Sequence, residues 1–216
     1  MRGLALLGVA GLSLAQAVPW APAEQLAYRL SWQGVDVGRV YLVAEEAGEG
    51  WRFRFRLEPT GPARWLGYGL EAESRVGPEL FTTQFRQTLS EPFRGTTRLF
   101  FQQQDGKGCW ATVVHPDGKE TTWKSPHEDV LDSLALLYYL RLYPEIRQVR
   151  VVDYYQMVQG RLEVLQGRGL MGYRFARDDV YIEAWYRSNA RRTLVRLVFG
   201  RDFGRLEAVL LEDNGS

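Results

Sequence analysis

The chain has 216 residues, of which 45% are hydrophobic, 25% charged and 13% aromatic. These fractions exclude a disordered, collagen-like or polytopic membrane chain and leave an ordinary globular protein, for which this length favours one domain over two. Lysine plus arginine number 27 against 26 acids, a net charge of +1, which lacks the cation surplus a dedicated nucleic-acid binder uses to displace counterions.

Met1–Ala17 has the three parts of a cleaved signal peptide. Arg2 supplies a positive start, Leu4 to Leu14 an uncharged apolar run, and Ala15-Gln16-Ala17 a small-x-small cleavage site. The run is too short for a membrane anchor, which needs about 20 residues. No cysteine follows it, and no later stretch approaches membrane-spanning length. The expectation is an exported protein, periplasmic or extracellular, with no transmembrane segment in the mature chain from Val18. Arg2 is the leader's only charge, so its removal brings the cations level with the 26 acids. Lone Cys109 excludes an internal disulfide and a multi-cysteine metal site. An exported chain without cross-links must be held by its core.

After the extended lead-in Val18–Pro22, period-two alternation begins. Leu26, Tyr28, Leu30 and Trp32 share one face, and Gly34 and Gly38 bracket a turn. Val40, Leu42 and Ala44 continue as a second strand. The clearest strand follows, with Trp51, Phe53, Phe55 and Leu57 on one side and Arg52, Arg54 and Arg56 on the other. Further strands are predicted at 70–76, 80–89, 96–103, 108–115 and 120–124. Asp105-Gly106 and Asp117-Gly118 signal type I′ hairpin turns. A helix is predicted over about 126–143: Ser125 as N-cap, Pro126 in the first turn, Glu128 closing a capping box, and Asp129 and Asp132 near the positive end of the dipole. Leu134 to Tyr143 is apolar almost all round except Arg141, so this helix must be buried on several sides, packed against or plugging a curved sheet. Strands resume at 149–157, 161–166, 173–176, 180–187, 193–199 and 206–211. The fold class is all-β, an antiparallel curved sheet, barrel or half-barrel with one central helix, in a single strand-rich domain over 18–216.

Three stretches carry a family resemblance. Glu24 to Gly38 (EQLAYRLSWQGVDVG), Asp129 to Arg141 (DVLDSLALLYYLR) and the ending Ile182–Arg187 with Arg191-Arg192 and Phe203-Gly204 occur in an order that resembles an exported bacterial family catalogued as domain of unknown function 3108. The resemblance implies a signal-bearing, strand-rich barrel or half-barrel. It implies no activity and transfers no catalytic positions.

Candidate chemistry is sparse. Gly167-Arg168-Gly169-Leu170-Met171-Gly172 matches G-x-G-x-x-G, but strand alternation follows it where a dinucleotide site needs a helix, so a hairpin turn is expected. His127, Asp129 and Asp132 form a possible acid/base sketch for a hydrolase, set against helix capping as the simpler role. Cys109 beside Trp110 is expected to be a small core residue. The arginine ladder is expected on a solvated outer face, paired to acids on neighbouring strands, against the alternative of an anion grip. Tyr28, Trp32, Trp51, Phe53, Phe55 and Phe85 are the candidate ligand-binding residues, as core filling or as the lining of an apolar pocket. No cofactor or metal is expected. The sequence supports a non-enzymatic envelope protein that binds an apolar, lipid-like or envelope-polymer ligand or a protein partner. The alternatives are a hydrolase using acids near His127, and a structural or assembly factor without a small ligand.

Overall fold

The computed structural model describes residues 18–104, 106–152, 156–177, 180–201 and 204–213. The predicted signal peptide, Asp105, Phe203 and the tail from Asn214 lie outside the described residues. The described strands form one antiparallel sheet of 14. Its first half comprises β1 (Ala23–Trp32), β2 (Val35–Ala47), β3 (Gly50–Pro59), β4 (Gly69–Val76), β5 (Thr82–Glu91), β6 (Gly95–Gln104), β7 (Gly108–Val114) and β8 (Glu120–Ser125). Its second half comprises β9 (Gln148–Val152), β10 (Met157–Gly167), β11 (Leu170–Arg177), β12 (Val180–Arg187), β13 (Leu194–Arg201) and β14 (Gly204–Asp213). A helix, α1 (Ser133–Leu142), joins the halves.

The topology is two meanders sewn together at the chain's ends. Each strand pairs with its sequence neighbours, except that β1 pairs with β14 in mid-sheet while β8 and β9 form the two edges. Period two explains the local choice: in β1, Leu26, Tyr28 and Leu30 are buried while Gln25 and Arg29 are exposed. Trp51 and Phe53 behave likewise in β3, and across the strand Arg52 and Arg54 meet Glu45 of β2. The arginine ladder is therefore a paired outer face, with Arg56 beside Glu58 and Glu71.

At the seam between the edges, among the described residues, Ser125 of β8 reaches Met157 Sδ of β10 (3.5 Å), and the segment before α1 bridges the two halves through its backbone. Val130 accepts from the Thr82 amide (2.9 Å), while Leu131 pairs parallel with Val151 of β9 through bonds to Arg150 and Val152, both 2.8 Å. The linker before α1 thus runs as an extended stitch between β5 and β9.

That stitch corrects the expected helix start. The helix spans 133–142, not 126–143, and its N-cap is Asp132 rather than Ser125. Ser125 ends β8, and its hydroxyl accepts from the His127 amide (3.2 Å). Val130 and Leu131 are fully buried and must satisfy their backbone groups across the seam, which a helical turn there would prevent. Asp129 lies off the dipole and pairs with Arg150.

The turn expectation is corrected in detail. Gly118 has φ of +81°, but Asp117 does not share the left-handed region that type I′ demands. His115 instead bonds Lys119 (2.8 Å) and accepts from Gly118 (2.9 Å), which makes a five-residue loop between β7 and β8. The glycine-rich stretch 167–172 is the β10–β11 hairpin, as its alternation requires. The strand expected over 149–157 divides: β9 ends at Val152 and β10 begins at Met157.

Aromatic rings lie over glycines of neighbouring strands in the second half. A Cβ at Gly200 would come within 2.2 Å of the Tyr181 ring opposite it, and one at Gly160 within 2.1 Å of Phe175. Only a missing side chain admits these rings, which cover otherwise bare backbone.

Candidate functional site

The interior of the curl is occupied by α1, and both halves of the sheet hold it. At its N-terminus, Asp132 Oδ1 accepts from the amides of Leu134 (2.8 Å) and Ala135 (3.0 Å). Its Oδ2 accepts from Ser74 of β4 (2.5 Å) and Thr82 of β5 (2.8 Å), and Thr82 accepts in turn from the Asp132 amide. One side chain thus caps the helix and fastens it to the first half. Burial pushes the Asp132 carboxyl above its ordinary range, against the opposing pull of these donors.

At the other end, Arg141 makes a bidentate pair with Glu24 of β1 (2.5 and 2.9 Å), and both side chains are essentially without solvent contact, at 1% and 0% exposure. Arg141 Nη2 also donates to the Arg191 carbonyl (2.9 Å), and Arg192 donates to the Arg141 carbonyl (2.6 Å). Two tyrosines complete the attachment, and a third ties the two halves of the sheet to each other. Tyr186 donates to Leu137 O, Tyr173 to Pro144 O and Tyr28 to Leu194 O, each at 2.9 Å.

Five of the six predicted aromatic residues belong to or pack against the core cluster that includes this helix, and one does not. Phe53 stacks on Tyr138 of α1, with ring centroids 4.0 Å apart and planes 1° from parallel. Trp20 packs edge-on against Trp51, Phe53 and Tyr138, and the Arg141 guanidinium lies 5.1 Å from the Trp20 ring. Tyr28 and Phe85 are buried, and Phe55 packs partly buried against the same core. Trp32 is 47% exposed. It ends β1 just past a register shift, opposite β14, with its indole against Gly204. Phe53 thus meets α1 directly and Trp51 reaches it through Trp20, so protein occupies the space beside these two rings, whereas Phe85 lines an open cleft with Phe101 and Trp110. The two best-formed clefts among the described residues hold about 150 and about 200 Å³ and open to solvent; a small-molecule site encloses roughly 300–1,000 Å³.

The hydrolase sketch does not assemble. Asp132 is buried under its four donors, Asp129 is paired with Arg150, and neither is bonded to His127. Cys109 is buried, and its thiol is pushed up by desolvation, which makes it a poor nucleophile. Among the described residues, no group of three or more His, Cys, Asp or Glu is placed to hold a metal.

The anchors of α1 were only half visible in the sequence. Arg141 stood out as the lone charge in an apolar helix. Glu24 was missed, although it lies in phase with Leu26, Tyr28 and Leu30, the pattern that marks an inward position.

Together these features define a curved antiparallel sheet, barrel-like, that packs around its own helix. The chain belongs to the family described as protein of unknown function (DUF3108), whose model matches residues 27–211. A crystal structure from Brucella abortus, described as a beta-barrel-like protein of domain of unknown function DUF1849, is similar in fold with a TM-score of 0.59. It is 12% identical, and the match covers 93% of this chain and 100% of that one. No curated protein matches the chain.

Proposed function

We propose that this is an exported, non-enzymatic protein of the bacterial cell envelope that works from its outer surface. It is a structural or assembly factor for a protein or membrane partner, not a carrier of a small ligand held inside. One observation supports this above all: α1 fills the curl and is tied to both halves of the sheet through Asp132 and Arg141. A pocket for an apolar or polymer ligand among Tyr28, Trp51, Phe53 and Phe55 would require displacing α1 and, with it, separating the buried Arg141–Glu24 pair, which leaves two desolvated charges without partners. Export is supported by the three-part leader Met1–Ala17.

Two measurements test the reading. N-terminal sequencing of the protein from its native cell should begin near Val18; a mature chain retaining Met1 contradicts export. Cross-linking in intact envelopes can use Lys107, Lys119 and Lys124, all exposed. The reading expects a discrete, reproducible envelope neighbour. Turnover of a substrate that is lost on changing His127 would instead favour the hydrolase.

A further inference from the structure

One end of the sheet carries large apolar side chains that contribute nothing to the core. Three reversals lie side by side there: the β1–β2 hairpin, the 3-10 turn Gly61–Leu66 between β3 and β4, and the β5–β6 turn. Their adjacency follows from the backbone. The Thr60 amide donates to Val37 O (3.0 Å), and Gly69 sits opposite Ser90. The N-terminus of α1 is anchored near the other end of these strands, at Ser74 and Thr82.

Two residues on this rim are anomalous. Trp65 is 89% exposed, and Phe93 is fully exposed at 104%. Phe93 also has φ of +61°, a left-handed conformation that is costly for a bulky residue and natural for glycine or asparagine. Folding alone favours neither residue, since one gains no burial and the other is strained as well. Leu66 and Tyr68 extend the patch, both about half exposed.

Charge indicates what covers it. Residues 60–68 hold Arg64 and no acid, Arg94 follows Phe93, and the flanking acids are Glu58, which lies beside Arg56, and Glu91. Arg94 is 3.8 Å from Glu91 across a solvent-exposed gap, a weak pairing that leaves it available. Asp36, the nearest acid on the β1–β2 side, is taken by Arg39. Tryptophan and tyrosine favour the boundary between water and lipid, and arginine pairs with anionic phosphate headgroups. The shape agrees. Trp65 and Phe93 project from separate loop tips, which suits a deformable surface better than the pocketed, close-packed centre of a protein interface.

We infer that this rim docks the protein on an anionic lipid surface, with Trp65 and Phe93 inserted among the headgroups and Arg64 and Arg94 on the phosphates. The inference deepens the surface-acting role proposed above and rests on it.

Flotation of the mature chain with phosphatidylcholine vesicles, with and without phosphatidylglycerol, is the test. Binding is expected to the anionic vesicles only and to weaken with salt. The variant Phe93→Asn, which suits the left-handed turn, combined with Trp65→Ser should lose binding by roughly tenfold or more while melting no lower than the parent. Arg64→Gln with Arg94→Gln should remove the preference for anionic lipid. A parent chain that does not float, or a double aromatic variant that floats as well as the parent, overturns the inference. So does a parent that dimerises through the rim when the variant is monomeric, which would make it a self-association surface. None of these outcomes alters whether an envelope neighbour is cross-linked, so the two readings fail separately.

Discussion

Arg141 in the middle of the chain and Glu24 near its start are 117 positions apart and meet as a buried bidentate pair. The contact joins the only described α-helix to the strand at the centre of the sheet. Removing one partner leaves the other charged and dry, so Arg141→Met or Glu24→Gln should each destabilise by about 3–5 kcal/mol. Replacing both with apolar residues of similar size should recover most of that loss. Urea denaturation of the two single variants and the double variant measures it, and additive losses would show that the pair does not act as a unit.

Asp132 makes stability depend on pH in a defined direction. Burial raises its carboxyl in the folded protein above the ordinary value of an unfolded chain. Between those two values the folded state holds a proton that the unfolded state has released, so this group's contribution falls as pH rises through that window. The stability of the parent relative to Asp132→Asn should therefore decline from acid toward neutral pH, and a flat difference would refute the assignment. Asp132→Ala removes the cap and strands Ser74 and Thr82, and should cost about 2–4 kcal/mol.

The glycines under aromatic rings are a packing prediction. Gly200→Ala and Gly160→Ala force Tyr181 and Phe175 off their partner strands. Each should lower stability by about 1–3 kcal/mol, read as a fall in melting temperature, where alanine in an ordinary strand would not.

Hydrogen exchange distinguishes a plug from a lid. The α1 amides from Leu137 to Arg141 should exchange as slowly as those of β2 and β3, because the helix is bonded at both ends to the sheet. A helix that exchanges well ahead of the sheet would be a mobile lid.

Most of the fold was legible because strands announce themselves by period two, and Trp51–Leu57 or Val180–Arg187 admit no other regular structure. The apolar helix around Arg141 was legible for the same reason in reverse. Its start was not. Ser125-Pro126-His127-Glu128 satisfies the local rules for a cap, but Val130 and Leu131 are claimed by partners on β5 and β9, far away in sequence. The aromatic residues were placed on the right face from Tyr28 to Phe85, yet period two carries no information on what fills the space between them. Trp32 belonged to that face by count, and the register shift after Leu30 and the end of the strand put it on the rim instead. Phe93 and Trp65 carried no signal at all, since an exposed aromatic in a loop is ordinary until its backbone and its neighbours are seen.

The central claim is that the curl is filled by α1 and holds no ligand. Native mass spectrometry of the protein purified from its own envelope, without detergent exchange, tests this most directly. The predicted result is the mass of the mature chain alone. A stoichiometric added mass of lipid size that leaves only on unfolding, and that persists when Trp65 and Phe93 are changed, would contradict it.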